Sequence, residues 1–89
     1  MISISFTDRV LFAVSKIKRG QTRSYAQIAE EAGSPHAARV VGSIMKANKN
    51  PAVPCHRVIR ADGSCGEYNR GRAQKYHLLQ AEGCKNVRK

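Results

Sequence analysis

The sequence lacks tryptophan, has only six acidic residues among 89, and contains no apolar run of about 18 residues, the length that a transmembrane helix needs. Its first residues, MISISFTDRV, do not place a basic segment before an apolar one, so we expect no signal peptide and no secretion. A chain of this length predicts a single domain, residues 1–89, with a modest hydrophobic core. These absences argue against a membrane protein or an exported one.

Cysteine is scarce, and its spacing does not suit a metal site. Cys55, Cys65 and Cys84 lie far apart, no C-x-x-C pair occurs, and the three histidines do not complete a zinc-binding pattern. We therefore predict no bound metal. The odd number leaves at least one thiol without a disulfide partner in the chain, and the missing export signal favours a reducing compartment, either the cytoplasm or the nucleus.

Positive charge is what the sequence has in excess. Sixteen Lys and Arg against six Asp and Glu give a net charge of +10 and a pI of about 10.2. One interpretation is a solvated basic surface, or a ribosomal-type protein whose charge only offsets RNA. We favour a nucleic-acid-binding domain, since neutralising phosphates releases counterions and supplies affinity that does not depend on base sequence.

Capping residues predict where the first two helices begin and end. The first has Thr7 as N-cap, and Gly20 follows its last turn. The second begins at Ser24, which forms an S-x-x-Q capping box with Gln27, and it ends at Gly33.

A third helix is predicted to restart at once, with Ser34 as cap and Pro35 at its first position. This helix is rich in small residues and carries Arg39 and Lys46. An ordinary αα-hairpin and a helix-turn-helix both fit two short helices joined by a Gly-Ser-Pro break. The net charge favours the DNA-binding helix-turn-helix.

The remaining sequence predicts one more helix after an irregular stretch. Two prolines hold NKNPAVPCHRV extended or turned, and HRVIRADGSCGEY predicts a small hairpin or loop around an Asp62-Gly63 turn. The last helix, in GRAQKYHLLQAEG, turns three residues inward: Ala73, Tyr76 and Leu79. The tail CKNVRK is expected to fray. The predicted fold is mainly α, a small helical domain with a winged-helix-like helix-turn-helix and a short hairpin or loop carrying Cys55.

The pentapeptide PCHRV raises the question of what Cys55 does. A cysteine in a short apolar run is often a small core residue, but a thiol beside a base can act as a nucleophile. Adjacent residues of an extended chain point to opposite sides, so we expect His56 to reach the Cys55 sulfur through a bridging water. Residue types alone leave the choice between core residue and nucleophile open.

Three segments together resemble the O6-alkylguanine-DNA alkyltransferase family: PCHRV, RSYAQIAEEAGSPHAARVVGSIMKAN and GEYNRGRAQKYHLLQAEG. They span residues 6 to 83 in the family's order. The resemblance implies a monomer that binds double-stranded DNA in the minor groove and flips out O6-alkylguanine. A cysteine then accepts the alkyl group once, irreversibly and without a cofactor. It also implies a place in the cytoplasm, with the nucleoid, or in the nucleus.

The resemblance assigns roles by position. Cys55 accepts the alkyl group, His56 is linked to it through water, and Glu82 orients the imidazole. Tyr25 hydrogen-bonds guanine N3 and passes it a proton, because the departing guanine must not leave as a bare anion. Arg39 takes the place of the flipped base. Further contacts to DNA or to the base are expected from Ala38, Lys46, Asn48, Val58, Tyr68 and Asn69.

The sequence departs from the family in three ways, and two other functions stay open. We expect only the DNA-binding, alkyl-accepting half, without the family's usual N-terminal domain. The connection from Asn48 to Cys55 is one residue shorter than usual, and Glu67 and Arg70 stand where the family mostly has small residues. One alternative is a non-enzymatic alkyltransferase-like protein that binds the lesion and recruits other repair factors. Such proteins usually replace the active-site cysteine, which this chain keeps as Cys55. The other alternative is a helix-turn-helix regulator without lesion chemistry.

Overall fold

The computed structural model describes residues 5–66, 68, 71–84 and 86–88. Within these residues, the predicted small, mainly α domain is confirmed. The elements in chain order are α1 (Phe6–Ser15), β1 (Arg23–Ser24), α2 (Tyr25–Glu31), α3 (Ala38–Ala47), a 3-10 helix (Cys55–Arg57), β2 (Val58–Ile59) and α4 (Arg72–Ala81).

Helix α1 begins earlier and ends earlier than its sequence predicts. The N-cap is Ser5 rather than Thr7, because the Ser5 hydroxyl accepts a hydrogen bond from the Asp8 N–H at 3.1 Å. The helix ends at Ser15, and the prediction that it reaches Gly20 is wrong. Gly20 instead adopts a φ of +87° in the following turn.

The capping box of α2 is confirmed. The Ser24 hydroxyl accepts from the Gln27 N–H at 3.0 Å, and the Gln27 side chain accepts from the Ser24 N–H at 2.8 Å. The predicted start of α3 is wrong, because the Ala37 N–H closes a turn on the Ser34 carbonyl at 3.0 Å and the helix begins only at Ala38. Two described helices joined by a turn are therefore present, and their use as a DNA-reading motif stays a prediction.

The segment that carries Cys55 is turned rather than extended. Cys55 opens the 3-10 helix, and β2, which follows it, pairs in parallel with β1. Beyond β2, the Arg60 N–H donates to the Ser64 carbonyl at 3.0 Å, so the chain turns back on itself where a small hairpin or loop was predicted. The register aligns Arg23 with Val58 and Ser24 with Ile59. Parallel strands need a long crossover connection, which α2 and α3 supply. The predicted turn at Asp62-Gly63 is confirmed by a hydrogen bond from the Gly63 N–H to the Arg60 carbonyl at 3.0 Å.

Two clusters of buried side chains hold the elements together. The first joins α1, α2 and α3 and extends to Cys55 and Val58. The second lies under α4 and contains Ile59, Cys65, Leu79, Cys84 and Val87. Cys65 and Cys84 are thus packing residues, and none of the three cysteines forms a disulfide.

The predicted fraying of the tail is wrong at its described end. Val87 is buried, and the backbone of Arg88 bonds to both Cys65 and Gly63, at 2.7 and 2.9 Å. The predicted inner face of α4 is also only partly right. Leu79 is buried and Tyr76 half-buried, but Ala73 is exposed, and Lys75 occupies the interior.

Gly20 lies close to the backbone at the end of α4, so replacing it tests how tightly the two segments pack. A methyl group at Gly20 would lie 3.3 Å from the Glu82 carbonyl oxygen, whereas one at Gly33, with φ +93°, would meet nothing within 4 Å. We expect Gly33→Ala to lower the free energy of unfolding by about 1 kcal/mol, from backbone strain alone. Gly20→Ala should cost about 2 kcal/mol, because strain and crowding add. Equal losses in urea denaturation would contradict the role given to the Glu82 contact.

Candidate active site and nucleic-acid interface

Cys55 lies at the start of the 3-10 helix, immediately after Pro54. Its N–H donates to the Val53 carbonyl at 2.8 Å, and the Arg57 N–H closes the turn on the Pro54 carbonyl at 2.9 Å. These bonds fix the backbone on both sides of the thiol. Cys55 is only 7 % exposed, yet it lines two neighbouring clefts. It can therefore be a packing residue and still present its sulfur to a bound molecule.

The carboxylate of Glu82 joins the end of α4 to the Cys55 segment. It lies 2.9 Å from His56 Nε2, and it accepts two hydrogen bonds from Arg57, Nε to Oε1 at 2.9 Å and Nη2 to Oε2 at 2.8 Å. A third Arg57 nitrogen donates to the Ile17 carbonyl at 2.9 Å. This bidentate geometry is the strong form of an arginine–carboxylate pair.

The electrostatics of this cluster keep Glu82 ionised. The Arg57 hydrogen bonds, aided by His56, lower the pKa of Glu82 to about 2 despite the opposing effect of burial. The same contact raises the pKa of Arg57. Because an ionised carboxylate only accepts hydrogen bonds, His56 Nε2 must carry a proton. The other ring nitrogen of His56, Nδ1, is then the atom that can take up a proton.

His56 and Cys55 are not joined by a hydrogen bond among the described residues. The prediction that Cys55 and His56 belong to an extended chain is wrong, because they occupy successive positions of a 3-10 helix. Successive positions of a 3-10 helix lie about 120° apart around its axis, so the side chains still diverge. A link through water between the thiol and the imidazole stays a prediction.

Lys75 is a functional candidate that sequence reasoning missed. It is 1 % exposed, and its ammonium donates to the Val58 carbonyl at 2.6 Å and to the Tyr25 hydroxyl oxygen at 3.2 Å. Burial lowers the pKa of Lys75 to about 8, although the nearby thiols of Cys65 and Cys55 act in the opposite direction. The signal in the sequence is its position four residues before the buried Leu79, on the inner face of α4.

Tyr25 lies where β1 passes into α2, directly after the Ser24 cap. Its oxygen is the acceptor in the bond from Lys75, so the phenolic proton is not used in that contact. The Lys75 ammonium also lies 5.4 Å from the centre of the Tyr25 ring. A positive charge at this place would stabilise a tyrosinate at Tyr25, so the predicted role as proton donor is compatible with these contacts.

One cleft of about 520 Å³ brings most of the predicted site together, a volume within the roughly 300–1,000 Å³ of small-molecule sites. Its lining also includes six residues that the sequence did not assign to the site: Ala26, Gly42, Ser43, Met45, Arg60 and Ala61. The predicted residues on this cleft are Tyr25, Ala38, Arg39, Lys46, Cys55 and Tyr68.

The other predicted residues lie beside this cleft. His56 and Asn48 line a neighbouring cleft that also contains Cys55 and Tyr68. Asn48 shapes the chain after α3, since its side chain accepts from the Asn50 N–H at 3.2 Å and donates to the Asn50 carbonyl at 3.3 Å. Asn50 in turn accepts from the Ala52 N–H at 3.0 Å, so both asparagines form the turn.

Val58 and Asn69 were expected to offer backbone groups to the base. Val58 is fully buried, its N–H bonds to the Cys55 carbonyl, and its own carbonyl accepts from Lys75. Asn69 lies outside the described residues, as do Glu67 and Arg70. Within the described part of the chain, no cluster of three His, Cys, Asp or Glu side chains could hold a metal ion, and no helix is long and apolar enough to cross a membrane.

The chain as a whole is similar to known proteins. Residues 5–84 match the family model described as "6-O-methylguanine DNA methyltransferase, DNA binding domain". The mouse methylated-DNA–protein-cysteine methyltransferase is 50% identical over 82 residues, which cover 89% of this chain and 39% of the mouse protein. The chain thus spans about two fifths of that curated relative.

Two solved structures are also similar. The crystal structure of Mycobacterium tuberculosis OGT in complex with DNA has a TM-score of 0.84 and 40% identity, over 97% of this chain and 52% of that one. The structure of S. pombe Atl1 in complex with damaged DNA containing O6-carboxymethylguanine has a TM-score of 0.79 and 32% identity, over 93% of this chain and 80% of that one.

The Glu82 cluster predicts a specific loss of stability in acid. Because the pKa of Glu82 is about 2 in the folded protein and near 4.3 when unfolded, its stabilisation is present above about pH 5 and is lost as the pH falls toward 2. We expect the stability advantage of the native protein over Glu82→Gln to shrink by about 3 kcal/mol over that range. Urea denaturation at a series of pH values measures it. The exposed Glu30→Gln is the control, and parallel pH curves for native protein and Glu82→Gln would contradict the assignment.

Lys75 predicts the opposite trend in base. Its pKa of about 8 lies below the value of about 10.4 in the unfolded chain, so between these values the unfolded chain binds more protons and stability rises with pH. The stability of the native protein relative to Lys75→Met should rise by about 2 kcal/mol between pH 7 and 10. Lys18→Met, at an exposed position, should show no such change. A pH-independent difference for Lys75→Met would mean that Lys75 is not a buried titrating amine.

Proposed function

The chain belongs to the 6-O-methylguanine DNA methyltransferase family, and from this membership we propose that it repairs DNA by transferring the alkyl group of O6-alkylguanine to Cys55. The observation that carries the proposal is one cleft lined by Cys55, Tyr25 and Arg39, next to the His56–Glu82 pair. A nucleophile, a proton donor and a DNA-facing cation thus converge on a space that suits a single base.

The proposed DNA contact uses the N-terminal end of α3 in the minor groove. Ala38 and Arg39 lie in the first turn of α3, where a small side chain permits close approach and an arginine can occupy the space of a flipped base. Lys46, exposed on the last turn, is placed to contact a phosphate. The net charge of +10 supports double-stranded DNA as the partner.

The proposed reaction is a single displacement. The Cys55 proton passes through a water to His56 Nδ1, while Glu82 holds the Nε2 proton and stabilises the imidazolium. The thiolate sulfur forms a bond to the alkyl carbon as the bond from that carbon to guanine O6 breaks. The electron pair goes to the guanine, which takes a proton on N3 from Tyr25. The ammonium of Lys75 beside the Tyr25 oxygen favours that proton transfer.

The product makes the protein single-use. The sulfur–carbon bond of a thioether is not opened by water at neutral pH, and no described group is placed to attack it. The repaired guanine can return to its stack, and each molecule of protein accepts one alkyl group. The chemistry requires no cofactor, since the thiol supplies the bond and side chains move both protons.

A second candidate function is lesion binding without transfer. The similarity to S. pombe Atl1 bound to damaged DNA favours it. In that case the protein would hold O6-alkylguanine in the same cleft and recruit other repair factors. The buried thiol of Cys55 at the cleft argues for transfer instead.

Intact-mass measurement separates the candidates. After incubation with a duplex containing O6-methylguanine, we expect the protein to gain the mass of one methyl group in place of one hydrogen. Cys55→Ser should gain none, whereas Cys65→Ser, which alters a thiol of the second buried cluster, should react like the native protein. A duplex with ordinary guanine is the substrate control.

Two results would contradict the transfer proposal. Tight binding to the lesion with unchanged mass would favour the second candidate. Equal affinity for damaged and undamaged duplexes, again with unchanged mass, would leave only a general DNA-binding domain.

A further inference from the structure

Arg60 is a charged side chain on the cleft to which the proposed mechanism gives no role. It follows β2 directly, and continuing the β1–β2 register places it beside Tyr25. A methyl group built on Gly66 would lie 3.3 Å from Arg60 Cγ, 3.5 Å from Arg60 Nε and 3.4 Å from the Tyr25 hydroxyl oxygen. The arginine stem and the tyrosine hydroxyl thus converge on the same point, which only a glycine leaves open.

The guanidinium of Arg60 forms no ion pair with a carboxylate in the described part of the chain. Asp62, two residues away, accepts two hydrogen bonds from Ser64, at 2.9 and 2.8 Å, and its ion pair is with Arg88, at 3.9 Å. The Ser64 bonds, with smaller effects of Arg88 and Arg60, lower the pKa of Asp62, so Arg60 feels this carboxylate only at a distance. Arg60 is exposed. An exposed arginine that no ion pair holds, on the wall of a binding cleft, is suited to a ligand that brings its own negative charge.

The charged side chains described on the cleft are all positive, like Arg60 itself. The cleft lining contains Arg39, Lys46 and Arg60, and no Asp or Glu occurs among its described residues. The ammonium of Lys75 lies behind Tyr25 and adds a fourth positive charge at the inner end. Arg60 is close enough to Lys75 for its charge to lower the Lys75 pKa, although burial is the main cause of that shift. A negative group bound near Arg60 would relieve this repulsion between cations.

We propose that this cleft prefers O6-alkylguanine whose alkyl group carries a negative charge, such as O6-carboxymethylguanine, and that Arg60 determines the preference by binding the carboxylate. The proposal rests on the transfer function proposed above. Neutral O6-methylguanine remains a substrate, because Arg60 recognises the substituent and does not take part in the displacement.

The chemistry of the charged substrate balances without a further reactant. The Cys55 thiolate bonds to the methylene carbon, and the bond from that carbon to guanine O6 breaks, with the electron pair leaving on the guanine. The guanine gains a proton from Tyr25. The carboxylate stays on the transferred group, and the product is S-carboxymethylcysteine. Arg60 can hold the two carboxylate oxygens through Nε and a terminal nitrogen before, during and after the transfer.

A neutral substituent of the same shape isolates the charge. We would prepare duplexes with O6-carboxymethylguanine and with O6-carbamoylmethylguanine, its amide, and measure single-turnover transfer rates for each. The two alkyl groups differ in intrinsic reactivity. For each protein we therefore divide the transfer rate of the acid by that of the amide, and then compare this acid-to-amide ratio between each variant and the native protein. We expect Arg60→Gln to lower this ratio roughly fivefold, the factor that one exposed ion pair supplies. Arg60→Lys should keep part of the ratio, and Lys18→Gln, which removes a charge outside the cleft, all of it.

A binding measurement keeps the inference independent of transfer. In a Cys55→Ala background, the affinity ratio for the same two duplexes should also fall when Arg60 becomes Gln. If the protein transfers methyl groups but Arg60→Gln leaves both ratios unchanged, the anion preference is wrong and the transfer function stands. If no lesion is transferred but the affinity ratio still depends on Arg60, anion recognition stands and the transfer function fails. If Arg60→Gln weakens binding equally to both lesions and to undamaged DNA, Arg60 contacts a phosphate and the inference is overturned.

Discussion

The carboxylate of Glu82 is the point at which three distant segments of the chain meet. Arg57 binds it with two hydrogen bonds and uses a third nitrogen to hold the Ile17 carbonyl after α1, while His56 contacts Oε2, one of the same two oxygens. Glu82 is the C-cap of α4, so the same group that contacts the imidazole also docks the last helix. The geometry of the 3-10 turn that begins at Cys55 therefore depends on contacts with the ends of both α1 and α4.

A buried lysine performs a similar task on the other side of Cys55. Removing an ammonium group from water costs several kcal/mol of free energy unless hydrogen bonds compensate. The Val58 carbonyl and the Tyr25 oxygen supply those bonds to Lys75. An apolar side chain at this position would pack at lower electrostatic cost, but it would not place a cation beside the tyrosine hydroxyl. The burial of Lys75 is thus electrostatically costly for the domain, and it places a cation beside the Tyr25 hydroxyl.

Chain topology explains how a small domain brings these groups to one cleft. The parallel pairing of β1 with β2 forces α2 and α3 into the crossover, so Tyr25 lies directly after one strand and Cys55–Arg57 directly before the other. The same register places Arg60 beside Tyr25. The N-terminal end of α3 and Cys55 consequently line one cleft, although 16 positions separate Arg39 from Cys55 in the sequence.

The sequence by itself determined what depends on residues close together along the chain. The Ser24–Gln27 capping box, the turn at Asp62-Gly63 and the mainly α class are local, because capping and turn formation involve residues at most three or four apart. The PCHRV motif is likewise local, and its family resemblance led to the prediction that Cys55 accepts the alkyl group. The local rules failed where two caps compete, as at Ser5 against Thr7, and where a turn after Ser34 delays the start of α3.

The tertiary structure alone decided that Arg57 binds Glu82, that Lys75 lies inside and that Arg60 faces the cleft. The Arg57–Glu82 and Lys75–Tyr25 contacts join residues 25 and 50 positions apart, and the place of Arg60 follows from strand register. No short-range pattern encodes which distant partner a charged side chain will meet.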